Sequence, residues 1–298
     1  MARLSKAEIA RIQAERAELT QKIDSLELGF MSRSLAQIGL PHSNLDTDYF
    51  ERTSGLITFS VQAHKKNGLP YGMYPRLLLA WICTEAVKTQ NPVLHLGTNQ
   101  TEFLKKLDLQ NDGRYISALK EQSNRLLSSL FRLDFADKKI RGFKNLILAS
   151  EGFEFWTPHA GAWETQFKLS QEFFEDVVSN PVPLDLNVLH AIRKSPLAMD
   201  VYTWLAYRTY LVYTHGGHPV KISWADLQAQ FGSNYGSDYL NIELPADVLI
   251  KKQQQGLRDF KKFFLKATKA VSEHYPELNH IISADSQFLT VGGAKLIK

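Results

Sequence analysis

Apolar and polar positions follow two rhythms along this chain, and the places where one gives way to the other mark its elements. Residues 1–30 carry a broken apolar stripe among mixed charges: Ile9, Ile12, Leu19, Ile23 and Leu26. That spacing predicts a helix, either docked on a partner or paired as a short coiled-coil arm. Residues 31–60 read as irregular, with Pro41 and several Ser, Asn and Asp, until Gly55–Ala63 (GLITFSVQA) alternates as a strand does. Tyr74–Gln90 is an apolar helix with Pro75 in its first turn, where a missing N–H costs nothing, and Asn91-Pro92 stops it. Val93–Leu96 predicts a short strand, and Thr98 an N-cap for a helix to about Leu107. Asn111-Asp112-Gly113 signals a turn, and Arg114–Leu130 a long helix. The alternating runs Phe131–Ala136 and Phe143–Ala149 predict a hairpin with Lys138, Lys139 and Arg141 at its tip, and Trp163–Leu169 one more strand.

Helix, short strand, helix, turn, helix and basic-tipped hairpin is the order of a winged helix. There the third helix enters the major groove and the hairpin lies on the backbone. The order then returns. Pro181-Val182-Pro183 punctuates the chain, and Leu186–Lys194 and Leu197–Tyr213 are helical on either side of Ser195-Pro196. After the turn His215–Pro219, Val220–Ser223 predicts a strand, and Ser223 caps a helix to about Phe231. Lys251–His274 predicts a long helix ended by Pro276, and Asn279–Ala284 with Gln287–Val291 a terminal hairpin. The expected fold is α+β and helix-rich, with two tandem winged-helix domains. Residues 1–54 form an N-terminal helical arm and linker, 55–170 the first winged-helix domain, and 171–298 the second, DNA-recognising one.

Composition agrees with a chain that buries a sizeable core, with 44% hydrophobic and 22% charged residues in 298. Its longest apolar run, Leu77–Ile82, is far short of a membrane span. The opening segment MARLSKAEIARIQAERAEL lacks the apolar stretch of a secretory signal, so a cytoplasmic location is expected. The lone Cys83 excludes an internal disulfide and a cysteine-based zinc cluster.

Charge sharpens the picture. The net charge of +4 is modest, but from Lys251 onward nine residues are basic and four acidic. This last sixth of the chain therefore carries the whole positive excess, the footprint of a polyanion binder. In its long helix, Leu257, Phe260, Phe264, Ala267 and Val271 form an apolar face. Gln253, Gln254 and Gln255 lie at the N-terminal end, where recognition helices meet base edges, and glutamine can pair bidentately with adenine. Arg258 is placed to read guanine or hold a phosphate, and Lys261, Lys262, Lys266 and Lys269 to neutralise phosphates. A plain solvated face is the alternative, which the preceding strand, cap and helix disfavour. The first long helix offers Arg114, Ser117, Lys120 and Asn124, with Glu121 opposing; it either contacts DNA or serves dimerisation or packing. Lys138, Lys139 and Arg141 are phosphate candidates at an exposed tip.

Catalytic signals are missing. There is no phosphate-binding loop, and His215 and His218 flank two glycines with no third ligand beside them. The histidine pair that a rolling-circle nicking enzyme needs for its metal is also absent from the sequence. The expectation is a protein without catalytic residues, metal or cofactor.

Several blocks resemble one family. Leu69–Lys88 (LPYGMYPRLLLAWICTEAVK) resembles a hallmark segment of the plasmid-encoded RepA replication initiators. So do Glu172–Tyr213, with FFEDVVSNPVPLDL and SPLAMDVYTWLAYR, then Ile222–Tyr235 (ISWADLQAQFGSNY) and Gly256–Val271 (GLRDFKKFFLKATKAV). The resemblance covers about residues 55–298. Asn111-Asp112-Gly113 stands where the family pattern has a glycine pair, and Asn124–Leu127 is less basic than that pattern. The resemblance implies a bacterial, theta-type initiator that binds double-stranded origin repeats (iterons), helps open the duplex and recruits host replication proteins. It implies plasmid copy control, with a homodimer repressing its own promoter and an active monomer initiating. A winged-helix transcriptional regulator without an initiation role is the alternative that composition leaves open.

Overall fold

The computed structural model describes residues 27–136, 141–152, 166–232 and 245–297. It is a mixed helix-and-sheet protein. The first half begins with β1 (Leu28–Ser32), a short 3-10 turn (Leu35–Gln37), β2 (Tyr49–Ser54) and β3 (Ile57–Gln62). Then come α1 (Met73–Thr89), β4 (Val93–His95), α2 (Gln100–Lys106) and α3 (Gly113–Leu127). Strands β5 (Leu130–Ala136), β6 (Arg141–Ile147), β7 (Ala149–Gly152) and β8 (Gln166–Leu169) follow. The second half contains α4 (Gln171–Ser179), β9 (Pro181–Asp185), α5 (Leu186–Ala191), α6 (Pro196–Thr214), β10 (Val220–Ser223) and α7 (Trp224–Phe231). It ends with α8 (Ala246–Ser272), α9 (Leu278–Ile281), β11 (Ile282–Ala284) and β12 (Phe288–Val291).

Four separate sheets form among the described residues. Two are three-stranded and share one plan: β4-β8-β7 and β10-β12-β11. In each, the strand that follows an apolar helix pairs with the last strand of its half, which pairs with the strand before it. No sheet runs through both of these. A third sheet, β2-β3-β5-β6, is antiparallel, and the fourth is the two-stranded ribbon β1-β9. Helices α1 and α6 are apolar on nearly every side and are mostly buried, with exposure confined chiefly to their C-terminal turns. Both open onto one continuous core running through the two halves, from Phe59, Leu77 and Phe131 to Tyr202, Phe231 and Phe264.

Four sequence expectations change. Leu28–Ser32, read as the end of a helix, is a strand paired with Pro181–Asp185, itself read as punctuation. The residues that follow are not a linker: Leu35, Ala36, Ile38 and Leu40 are buried and the 3-10 turn packs on α6. The rest of the expected arm, residues 1–26, lies outside the described residues. The hairpin β5–β6 does not join β4. It completes the sheet with β2 and β3, because its inward residues Phe131, Leu133 and Leu146 pack with Phe59 and Val61 and would be bare on a projecting wing. Lys138 and Lys139, expected at its tip, lie outside the described residues. Finally, Asn99 rather than Thr98 caps α2, its side chain accepting from the Glu102 N–H at 2.9 Å. Thr98 turns its own N–H and hydroxyl to the Glu102 carboxylate, both at 2.8 Å.

Candidate nucleic-acid interface

Helix α8 is positioned from behind by aromatic packing. Phe264 meets Trp204 of α6 and Trp224 of α7 edge-on, each with ring centroids 6.1 Å apart, and Phe231 of α7 at 5.9 Å. Phe260 stands one turn away at 5.5 Å. With Gly256, Ala267 and Val271 these residues bury one stripe of the helix and turn the opposite side outward. Ser223 caps α7 by accepting from the Asp226 N–H at 3.0 Å, as its sequence position predicts.

The outward side carries Gln254, Arg258, Lys262, Lys266 and Lys269, all exposed. Spacings of four, four and three residues set the four cations along one continuous face. Among the described residues the three lysines have no ion pair. The glutamines separate. Gln255 is committed: its carbonyl accepts from Arg258 Nε at 3.2 Å and from the other guanidinium nitrogen at 2.8 Å. Its amide donates to both Asp259 carboxylate oxygens at 3.0 Å. Gln255 therefore orients Arg258. Gln253 and Gln254 are exposed, but the helix starts at Ala246, five residues before the expected Lys251, so the trio stands about two turns in rather than at the end.

Lys261 does not share the outward side. Its ammonium donates to the Asp285 carbonyl at 2.6 Å and lies 4.9 Å over the Trp224 ring. It fastens the β11–β12 turn to α8. That turn closes on the Asp285 carboxylate, which accepts from the Gln287 and Phe288 N–H groups at 2.7 Å each. These backbone donors, with Lys221 and Lys261 nearby, hold the carboxyl below its usual range.

Helix α3 is built differently. Asp112 caps it by accepting from the Arg114 N–H at 2.8 Å, a bond that lowers the carboxyl's pKa. Arg114, Ser117, Lys120 and Asn124 are exposed. Arg125 is withdrawn from that face: it pairs with Glu121 at 2.8 Å and donates to the Leu69 carbonyl at 3.0 Å and to Asn44 at 3.1 Å. Glu121 is thereby neutralised in place. Arg141, exposed at the start of β6, belongs to the four-stranded sheet and not to the three-stranded sheet β4-β8-β7.

A cluster that sequence reasoning passed over lies between the halves. Arg76 of α1, 4% exposed, grips Asp200 of α6 bidentately, with both nitrogen–oxygen distances 2.7 Å. Its remaining donors reach the Leu40 carbonyl at 2.6 Å, Gly72 at 2.6 Å and Pro41 at 3.2 Å. His42 Nε2 lies 3.1 Å from the Asp200 carboxylate. Burial pushes Asp200 upward, but Arg76 and the His42 hydrogen bond outweigh it and hold the carboxyl below its ordinary value. Burial dominates at His42 and lowers its pKa, against the hydrogen bond to Asp200. The sequence did carry a signal: Arg76 and Asp200 are each a lone charge within an apolar run, MYPRLLLAWIC and PLAMDVYTWLA.

Among the described residues no three His, Cys, Asp or Glu side chains gather as a metal site, and no helix is long and apolar enough to cross a membrane. Trp81, Trp204 and Trp224 are buried, and burial pushes the Cys83 thiol up to about 12.

A family profile described as plasmid encoded RepA protein matches residues 69–226. It spans α1 through the first turn of α7 and ends before α8. A comparison with curated proteins finds no match. Among solved structures, a selenomethionine derivative of domain 2 and domain 3 of RctB shares this fold at a TM-score of 0.51, with 11% identity, over 89% of this chain and 96% of that one. A second crystal structure of RctB domains 2 and 3 aligns at 0.42, with 13% identity, over 84% of this chain and 83% of that one.

Proposed function

This chain belongs to the plasmid-encoded RepA replication initiator family, and from that membership we propose that it binds direct repeats in the origin of its plasmid, with α8 as the principal reader. In this reading α6, β10, α7, α8 and the β11–β12 hairpin are one winged-helix unit, with α8 in the major groove. Helices α1, α2 and α3 with β4, β7 and β8 are the other. The proposed units keep the bounds 55–170 and 171–298, with the segment from β1 to β2 packed against them. The observation that carries the reading is the repeated plan: an apolar helix, a strand, a capped short helix and a long helix, with the strand order first-last-middle in both halves. The RctB structure that shares the fold is itself described as two domains.

The proposed activity is binding without bond-making chemistry. Arg258, held by Gln255, and Gln254 read base edges; Lys262, Lys266 and Lys269 neutralise phosphates. The same contacts would let a dimer repress its own promoter and a monomer initiate with host replication proteins in the bacterial cytoplasm. Plasmid maintenance tests the reading. An origin fragment is expected to replicate only when this chain is supplied, and supercoiled origin DNA is expected to stay un-nicked with magnesium. Replication of that fragment without the chain would leave it a winged-helix regulator with no initiation role.

A further inference from the structure

Helix α3 packs on α1, and helix α8 packs on α6. The Arg76–Asp200 pair joins α1 to α6, so it lies between the supports of the two long helices. All five N–H donors of the guanidinium are satisfied, two on the carboxylate and three on carbonyls of Leu40, Pro41 and Gly72. The backbone around the pair is shaped to it. Gly72 sits at a φ of 76°, where other residues are strained, and its carbonyl faces Arg76. A Cβ on Gly39 would collide with the Asp200 carboxylate. Other bonds also tie the halves: Arg193 reaches Asp108, in the turn between α2 and α3, at 2.5 Å, Gln230 of α7 donates to the Gln37 carbonyl, and Asp176 of α4 accepts from Lys144 of β6 at 2.8 Å and from Ser34 at 2.9 Å.

A buried ion pair is a poor way to gain stability, since well-packed apolar residues often do as well. What a bidentate pair adds is direction. We infer that Arg76 and Asp200 are positioning residues that fix the spacing and angle between α3 and α8, and so set the distance between the two segments of a repeat that one chain can read. The inference rests on the proposed reading that both helices meet DNA. Each base pair inserted between those segments displaces one from the other by about 3.4 Å and about 35°. A clamped pair of units cannot follow that movement, whereas a loosened pair can.

The test uses the full-length chain and a repeat that it selects from randomised duplexes. Affinity is measured for that repeat and for versions with one to three base pairs inserted between its segments. The proteins are wild type, Asp200→Asn, Arg76→Lys, and the double variant Arg76→Met with Asp200→Leu, which leaves neither charge buried alone. Wild type is expected to lose about tenfold or more per insertion, the scale of a lost base contact. The variants that fold are expected to bind the inserted and natural repeats within about threefold of each other. Folded variants that keep the wild-type spacing penalty overturn the inference. So does loss of folding in all three, which would make the pair a stability element. Failure of wild type to discriminate spacing would instead overturn the reading that both helices touch DNA.

Discussion

Helices α3 and α8 hold equivalent places, each following a short capped helix and lying on an apolar supporting helix, yet they are equipped differently. Helix α8 has 27 residues, about 40 Å, and turns Arg258, Lys262, Lys266 and Lys269 outward. Helix α3 has 15 residues, about 22 Å, and turns out only Arg114 and Lys120 as cations. Behind α8 stand three aromatic rings from two helices, gathered on its own Phe264. Behind α3 are Leu119 and Leu126, with Gln122 accepting from the Tyr71 N–H at 2.8 Å. Even the spare charges diverge, since Glu121 occupies Arg125 whereas Gln255 aims Arg258. One plan used twice has therefore produced one long helix with a continuous exposed row of cations and one shorter helix with two exposed cations.

The largest expected effect breaks the anchoring. Phe264→Ala empties the centre of the aromatic cluster and is expected to cost about 3–5 kcal/mol of stability by denaturant unfolding. A loss below about 1 kcal/mol would mean that the cluster does not hold α8. Next comes charge. Replacing Lys262, Lys266 and Lys269 together by Ala is expected to weaken binding to any duplex roughly tenfold to a hundredfold and to lower the salt slope by about three. Replacing Arg114 and Lys120 should lower it by less than two; equal slopes would erase the asymmetry. The smallest effect lies at the join. Burial is the largest cause lowering the pKa of His42, and of His190 in α5, from the ordinary value of 6.5. The unfolded chain binds their protons first as pH falls, so stability is complete above about pH 6.5 and declines below it. His42→Gln is expected to flatten the decline between pH 6.5 and 5, and an unchanged profile would remove His42 from the account.

What was legible in the sequence follows from locality. Helices α1 and α6 were plain because they are apolar all round, and the Ser223 cap and the stripe of α8 follow from residues within a turn of one another. The partner of β4 was not legible, because β8 lies more than seventy positions further on, while β5–β6 was the nearest hairpin at hand. The strand β1 pairs with β9 across the whole first half, which no local pattern reports. The site was partly legible: Arg258 and three lysines face outward as expected, whereas Lys261 and Gln255 proved to be held by neighbours that only the fold brings close. Arg76 and Asp200 meet across 124 positions, and only their isolation among apolar residues hinted at a partner.

The claim that α8 is the principal reader is tested most directly by the ratio of affinity for the selected repeat to affinity for scrambled duplex, measured at one salt concentration. Arg258→Ala is expected to lower that ratio by a factor of about 5 to 150, worth about 1–3 kcal/mol, and Arg114→Ala by much less. An unchanged ratio in Arg258→Ala, or a larger fall in Arg114→Ala, would contradict the account and transfer base reading to α3.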